Sequence, residues 1–98
     1  MATDAPVSGT VVRLLGPFAQ RLSPVTTPCR QITIRSHEGA GEMSIGPVGV
    51  NAGDRWGFIL ELETFDLGPF AAGQGLRPCD VYVVGTPGDY LTWSGVHA

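Results

Sequence analysis

Apolar and polar residues alternate over several short runs of this chain, and glycines and prolines separate the runs. In the run from Cys29 to Ser36, Ile32 and Ile34 fall on one side of an extended backbone. Thr33 and Arg35 fall on the other side. This period of two is typical of a half-buried β-strand. Because no stretch of about ten residues shows the helical period, the pattern predicts an all-β domain of about six to eight strands.

Other alternating runs predict the remaining strands, and some of these strands are expected to pair as hairpins. The runs are 9–16, a short or irregular edge piece at 18–22, then 42–46, 56–63, and the two halves of 78–93. We expect 42–46 to pair back onto the Cys29 strand. We expect the halves of 78–93 to pair around Gly85 to Asp89, where glycine and proline favour a tight turn. Hairpins need further strands over their apolar faces, which indicates a small antiparallel β-sandwich, jelly-roll-like, or a small barrel.

The run from Trp56 to Glu63 has the largest apolar side chains of any predicted strand. Its alternate residues are Trp56, Phe58, Leu60 and Leu62. Glu61 and Glu63 lie on the other face. We therefore expect the apolar set to face the core and the glutamates to face solvent.

Two segments do not fit a strand pattern, and both are expected to contact other subunits. The segment from Thr64 to Leu76 combines apolar side chains with several glycines, and it is interpreted either as a cap on one end of the core or as a partner contact. We expect its Phe65, Leu67 and Phe70 to lie at an interface, because exposing such side chains to water is unfavourable. Residues 1–8 are expected to be a flexible N-terminal arm, followed by one β-sandwich domain over 9–98.

Composition restricts the class of protein. The chain has 98 residues, a net charge of −3 and only 15% charged residues, which is compatible with one domain whose surface is partly covered by a partner. All six basic residues are arginines and they are scattered, so nucleic-acid binding is not expected. The sequence shows neither a long apolar run nor a signal peptide, and we expect no membrane partner and a cytoplasmic place of synthesis.

The cysteines and histidines do not have the spacing of a metal or nucleophile site. Cys29, Cys79, His37 and His97 lie far apart along the chain, unlike the close ligand spacing of zinc sites. Both cysteines begin apolar runs, where a thiol is expected to be inert. A single disulfide between them is the alternative, but without a secretion signal we expect two reduced core thiols.

The carboxylates and tyrosines only weakly indicate a catalytic or binding site. Glu61 and Glu63 are two residues apart, but a solvated strand face explains them better than a pair of catalytic acids. Turn aspartates usually bond to their own backbone. The sequence therefore predicts no catalytic residue, no metal, no cofactor and no enzymatic activity. Tyr82 and Tyr90 are expected to face away from the core, which leaves glycan binding open as an alternative to simple packing.

A further pattern of strands and turns is carried by Cys29 to Ile34, Met43 to Gly46, Gly53-Asp54 leading into Trp56 to Leu62, and Val81 to Trp93. The order of these strands and turns resembles that of small virion proteins of tailed bacteriophages. The segment from Thr64 to Leu76 departs from the pattern. The resemblance covers roughly residues 28–95.

The resemblance implies a non-enzymatic structural role in a virion assembled in the host cytoplasm. The first expectation is a capsid decoration or cement protein that stabilises the head. Its partners would be the major capsid protein and copies of itself, in the trimeric form common to such proteins. The alternative is a tail or fibre module that binds a glycan on the host surface.

Overall fold

The computed structural model describes residues 6–7, 11–15, 18–71 and 75–97, with the backbone alone at 6–7. This part of the chain forms nine β-strands and one short 3-10 helix. The strands are β1 (Pro6–Val7), β2 (Val11–Arg13), β3 (Gln20–Arg21), β4 (Cys29–Ser36), β5 (Met43–Gly46), β6 (Gly57–Ile59), β7 (Thr64–Leu67), β8 (Tyr82–Val84) and β9 (Tyr90–His97). The 3-10 helix is Pro78–Asp80.

The strands form two antiparallel sheets that pack face to face. In sheet I, β9 and β4 are central, β7 is one edge, and both β1 and β2 pair with the far side of β9. Sheet II has the order β3-β8-β5-β6. From β2 to β9 the chain crosses between the sheets at every step except from β5 to β6. A five-stranded and a four-stranded sheet connected in this way form a jelly-roll-like sandwich, so the predicted all-β, jelly-roll-like fold is confirmed.

The core lies between the sheets and is formed by every second residue of the central strands. Ile32 and Ile34 on β4 are fully buried, as the alternation predicts. Sheet I also contributes Leu91 and Trp93, sheet II contributes Met43, Ile45, Ile59 and Val83, and Val81 lies just before β8. Each side chain of this size stabilises the fold by about 1.5–3 kcal/mol when fully buried. The core therefore depends on a few central strands.

Neither of the two predicted hairpins forms. The strand β5 pairs with β6 and β8 in sheet II, while β4 lies in sheet I. Similarly, β8 and β9 lie in different sheets, and Cys79 belongs to the 3-10 helix instead of a strand. The turn residues predicted reversals correctly, since Gly39 and Gly88 have positive φ angles of 84° and 94°. A reversal that crosses between sheets requires the same residues as one within a sheet.

The apolar run from Trp56 to Glu63 faces opposite to the prediction. Its strand ends at Ile59, which is 1% exposed and lies opposite buried Met43 on β5. A turn follows, with Leu62 at a φ of 59°. The side chains that were expected in the core are exposed: Trp56, Phe58, Leu60 and Leu62. A strand of three residues has room for one inward side chain here, and Ile59 takes that place.

The segment from Thr64 to Leu76 begins as a strand and not as a loop. Strand β7 pairs with β4, with Leu67 opposite Ile32 and Phe65 opposite Ile34. Leu67 is buried in the core and Phe65 packs against it. These two side chains, predicted at an interface, therefore contact the protein's own sandwich because β7 completes the edge of sheet I. Phe70, the third, is half-buried.

The first residues of the chain contribute to sheet I. Pro6 and Val7 pair with Val96 and Gly95 of β9, so at these two positions the predicted flexible arm is a strand. The rest of the predicted arm, residues 1–5 and 8, lies outside the described residues. The first predicted strand is present as Val11–Arg13, and the edge piece at 18–22 is present as β3.

Candidate functional site

The outer face of sheet I is mostly polar, with exposed Val11 of β2 beside Thr92 at its edge. Cross-strand register places Thr92, Arg35 and Thr64 in one row across β9, β4 and β7. The next row has Ser94, Thr33 and Asp66, and the Thr33 hydroxyl donates a hydrogen bond to Asp66 Oδ1 at 2.7 Å. Such a face is suited to contact with water.

The outer side of sheet II has an apolar groove instead. We call it the outer groove and define it by Val48, Trp56, Leu76 and Tyr82, which line an open depression of about 400 Å³. A second depression continues from Val48 and Tyr82 to Phe18, and a third continues from Trp56 and Leu76 to Phe70. Val48 is 74% exposed. The two faces of the sandwich therefore differ in chemical character.

A glycine on β5 shapes the middle of the outer groove. Gly46 lies opposite Tyr82 of β8. A β-carbon on Gly46 would lie 2.8 Å from Val50 Cγ2, so Val50 folds back over the strand only because no side chain is present. The Val50 amide donates to the Pro47 carbonyl at 3.0 Å. This turn holds Val48 out in solvent beside the tyrosine ring.

Arginines lie over aromatic rings on the same side of the molecule. The Arg21 guanidinium carbon lies 5.9 Å from the centre of the Tyr82 ring, and Arg21 donates to the Tyr82 hydroxyl at 3.3 Å. This hydrogen bond raises the pKa of the exposed Arg21 above its ordinary value. Arg55 stacks on Phe58 at 4.2 Å and pairs with Glu42. Arginines and aromatic rings are the residue types enriched in protein interfaces.

The second tyrosine singled out from the sequence has a structural contact. The Tyr90 ring stacks on His37 with centroids 3.9 Å apart and planes 6° apart. His37 Nε2 lies 3.6 Å from Asp89 Oδ1, and the Gly41 amide donates to Asp89 Oδ2 at 2.9 Å. The cluster joins the connection from β4 to β5 with the connection from β8 to β9. Tyr90 is thus partly covered, while Tyr82 lines the outer groove.

Glu61 and Glu63, which were weighed as a pair of catalytic acids, each accept a hydrogen bond that holds a turn in place. The Gly39 amide donates to Glu61 Oε2 at 2.6 Å. The Leu60 amide donates to Glu63 Oε1 at 2.7 Å. Both glutamates are exposed, as the solvated interpretation predicts, but they lie in a turn and not on a strand.

Both cysteines are free, and they differ in exposure. Cys29 is fully buried and Cys79 is partly exposed. Burial raises the pKa of the Cys29 thiol, which disfavours the reactive thiolate. The prediction of a core thiol is confirmed for Cys29, whereas Cys79 lies nearer the surface in the 3-10 helix.

The described ranges contain neither a cluster of metal ligands nor a helix suited to cross a membrane. In these ranges no group of three or more histidine, cysteine, aspartate or glutamate side chains is placed to hold a metal ion. Within the same residues, none of the helices has the length and apolar character needed to cross a membrane.

Comparison of the chain with family models, with curated proteins and with solved structures finds no significant match. The outer groove was not identified from the sequence, because three of its residues were assigned otherwise. The alternation assigns Trp56 to the core, Val48 lies between two predicted strands, and Leu76 ends the segment from Thr64. Only Tyr82 was indicated as a surface residue, because it alternates with Val81 and Val83, whose side chains are expected to face inward.

Proposed function

We propose that this protein is a non-enzymatic structural component of a bacteriophage virion, a decoration or cement protein that stabilises the head. The observation that carries the proposal is the difference between the polar outer face of sheet I and the outer groove on sheet II. A protein that lies flat on a shell needs one face to bury apolar side chains and one face to meet water.

The outer groove has the chemical character of a protein contact. Trp56 and Tyr82 supply large rings, and Arg21 supplies a guanidinium held beside one of them. Interface centres are enriched in these residue types and depleted of other charged residues. The major capsid protein is the proposed partner for this groove.

The resemblance to phage virion proteins supports the same proposal. Its most distinctive part, from Val81 to Trp93, forms β8, the crossing turn and the first half of β9. These strands are internal to the two sheets, so the resembling residues are the ones that define the fold. Jelly rolls occur in capsid and lectin domains, although the fold alone does not fix a function.

Cosedimentation with phage particles tests the proposal. Heads without the protein and separate tails, both from the phage that encodes the chain, are mixed with the purified protein. We expect the protein to sediment with heads, and we expect the double variant Val48→Ser/Tyr82→Ser to lose most of this binding. Ser94→Ala on the polar face of sheet I is the matched control and is expected to bind normally. Cosedimentation with tails alone, or equal binding by the groove variant, contradicts the proposal.

A glycan-binding tail or fibre module is the second candidate. The specific observation in its favour is that Trp56 and Tyr82 line one open groove together with Asp80. Aromatic rings can pack against the apolar face of a sugar, and a carboxylate can accept hydrogen bonds from its hydroxyls. Binding to a glycan array that the Val48→Ser/Tyr82→Ser variant loses, together with recovery on tails, favours this candidate over the first.

A further inference from the structure

Exposed apolar side chains occur on two opposite edges of the sandwich as well as on its face. On one side, Leu15 and Phe18 are 82% and 81% exposed and lie between β2 and β3. On the other side, Leu60 and Leu62 are 46% and 54% exposed and lie between β6 and β7. Exposed residues of this size on two separate sites need an explanation.

The first site, which we call the basic edge, consists of Arg13, Leu15, Phe18 and Arg21. Arg13 and Arg21 carry its positive charge, and Asp80, which lies near enough to act on Arg21, pairs with Arg77. Gln20 fixes the edge, because its amide donates to the Arg13 carbonyl and accepts from the Leu15 amide, both at 2.9 Å. Each arginine lies over a tyrosine ring, Arg13 over Tyr90 and Arg21 over Tyr82. The two exposed guanidinium groups are therefore held in place.

The second site, which we call the acidic edge, consists of Leu60, Glu61, Leu62, Glu63 and Asp66. Residues 60–66 contain three acidic residues and no basic one. All three carboxylates are exposed, and each is oriented by a hydrogen bond through one oxygen. Arg35 lies opposite Thr64 but one strand further in, on the outer face of sheet I.

The two edges cannot meet within one molecule. Strands β3 and β6 are the opposite ends of sheet II. In sheet I, β2 pairs on the far side of β9 while β7 is the other edge. The basic edge and the acidic edge are therefore separated by the full width of the sandwich, and only a second molecule can bring them together.

We infer that the protein associates with copies of itself head to tail, the basic edge of one copy against the acidic edge of the next. Apolar side chains then meet at the centre of the contact, with opposite charges around them. A contact between identical edges would instead place like charges together, which is unfavourable. A contact between two different sites of the same protein generates a closed ring or a filament.

This inference names a second partner for the proposed decoration protein, and it rests on the two edges, although Arg21 of the basic edge also lies beside Tyr82 of the outer groove. The test uses the purified chain without phage particles, so its failure leaves the head-binding test unaffected. The mass of the assembly is measured by analytical ultracentrifugation at low and high salt. The wild type is expected to form an assembly that weakens at high salt, since salt screens exposed charges.

Charge reversal identifies which edges meet. Arg21→Glu and Glu61→Arg are each expected to weaken association by about tenfold or more, because Arg21 of one copy faces Glu61 of the next and each reversal places like charges opposite one another. An equimolar mixture of the two variants is expected to assemble again, and so is the double variant. Ser94→Glu, on the outer face of sheet I, is the charge control and is expected to assemble like the wild type.

Each remaining outcome contradicts the inference. A wild type that stays monomeric at low salt contradicts it, and so do single variants that assemble normally. A mixture that stays monomeric shows that the two edges do not face each other. If a charge variant fails to fold by circular dichroism, Phe18→Ser and Leu62→Ser replace it. Both positions are exposed, so these variants are expected to keep the fold and lose the assembly.

Discussion

The ring of Phe65 occupies the space that a side chain on Gly57 would need. An ideal β-carbon on Gly57 would lie 2.4 Å from Phe65 Cε1. Gly57 begins β6 at one edge of sheet II, and Phe65 lies in β7 at the neighbouring edge of sheet I. The contact therefore closes one side of the sandwich between β6 and β7.

Replacing Gly57 with alanine is expected to destabilise the protein. The added methyl group has to displace an aromatic ring that packs against the core, and overpacking of this kind costs about 1–3 kcal/mol. Urea unfolding measures the change. Gly53→Ala is the control, because its β-carbon would approach only the Asn51 side chain, at 3.3 Å, and its effect is expected to be small. Equal stability of Gly57→Ala and the wild type contradicts the proposed packing.

Two leucines five residues apart are expected to respond differently to the same substitution. Leu67 is 9% exposed in the core, whereas Leu62 is exposed in the turn. Leu67→Ala is expected to lower the free energy of unfolding by about 2–4 kcal/mol, and Leu62→Ala by less than about 0.5 kcal/mol. The free energies of unfolding of the two variants are compared by chemical denaturation, at a concentration where the protein is monomeric. Similar losses at both positions would show that β7 is not part of the core.

The thiols are expected to differ in reactivity. Cys29 is buried, with a raised pKa, and a β-carbon on neighbouring Gly95 would lie 2.8 Å from its sulfur. Native protein without reductant is expected to react with a thiol reagent quickly at Cys79 and slowly at Cys29. Under denaturing conditions both thiols are expected to react. A denatured, unreduced chain with no reactive thiol would indicate a disulfide and overturn this prediction.

Strand β4 shows what the sequence determines most directly. Its eight residues were predicted with the observed bounds, because buried Ile32 and Ile34 alternate with Thr33 and Arg35 on the outer face. Partners of the strands were harder to predict. The glycines between β8 and β9 require the chain to reverse. Whether β9 then joins the sheet of β8 or the opposite sheet depends on contacts with β4 and β5, which are distant in sequence.

The run from Trp56 to Leu62 shows why the candidate site was missed. Alternation assigns the larger apolar set to the core, but β6 is short and Ile59 fills the inward position. The larger set then lies outside, where it forms part of the outer groove and of the acidic edge. A rule that places apolar residues inside fails most readily at surfaces that bind a partner.

Footprinting of the two tyrosines on phage heads tests the proposed function most directly. Tyr82 lines the outer groove on sheet II, and Tyr90 begins β9 in sheet I and stacks on His37. Hydroxyl-radical labelling is measured for the protein on heads and for the free protein at the same state of association. The account predicts that binding to heads protects Tyr82 and Trp56 and leaves Tyr90 unchanged. Protection of Tyr90 with continued labelling of Tyr82 would contradict it.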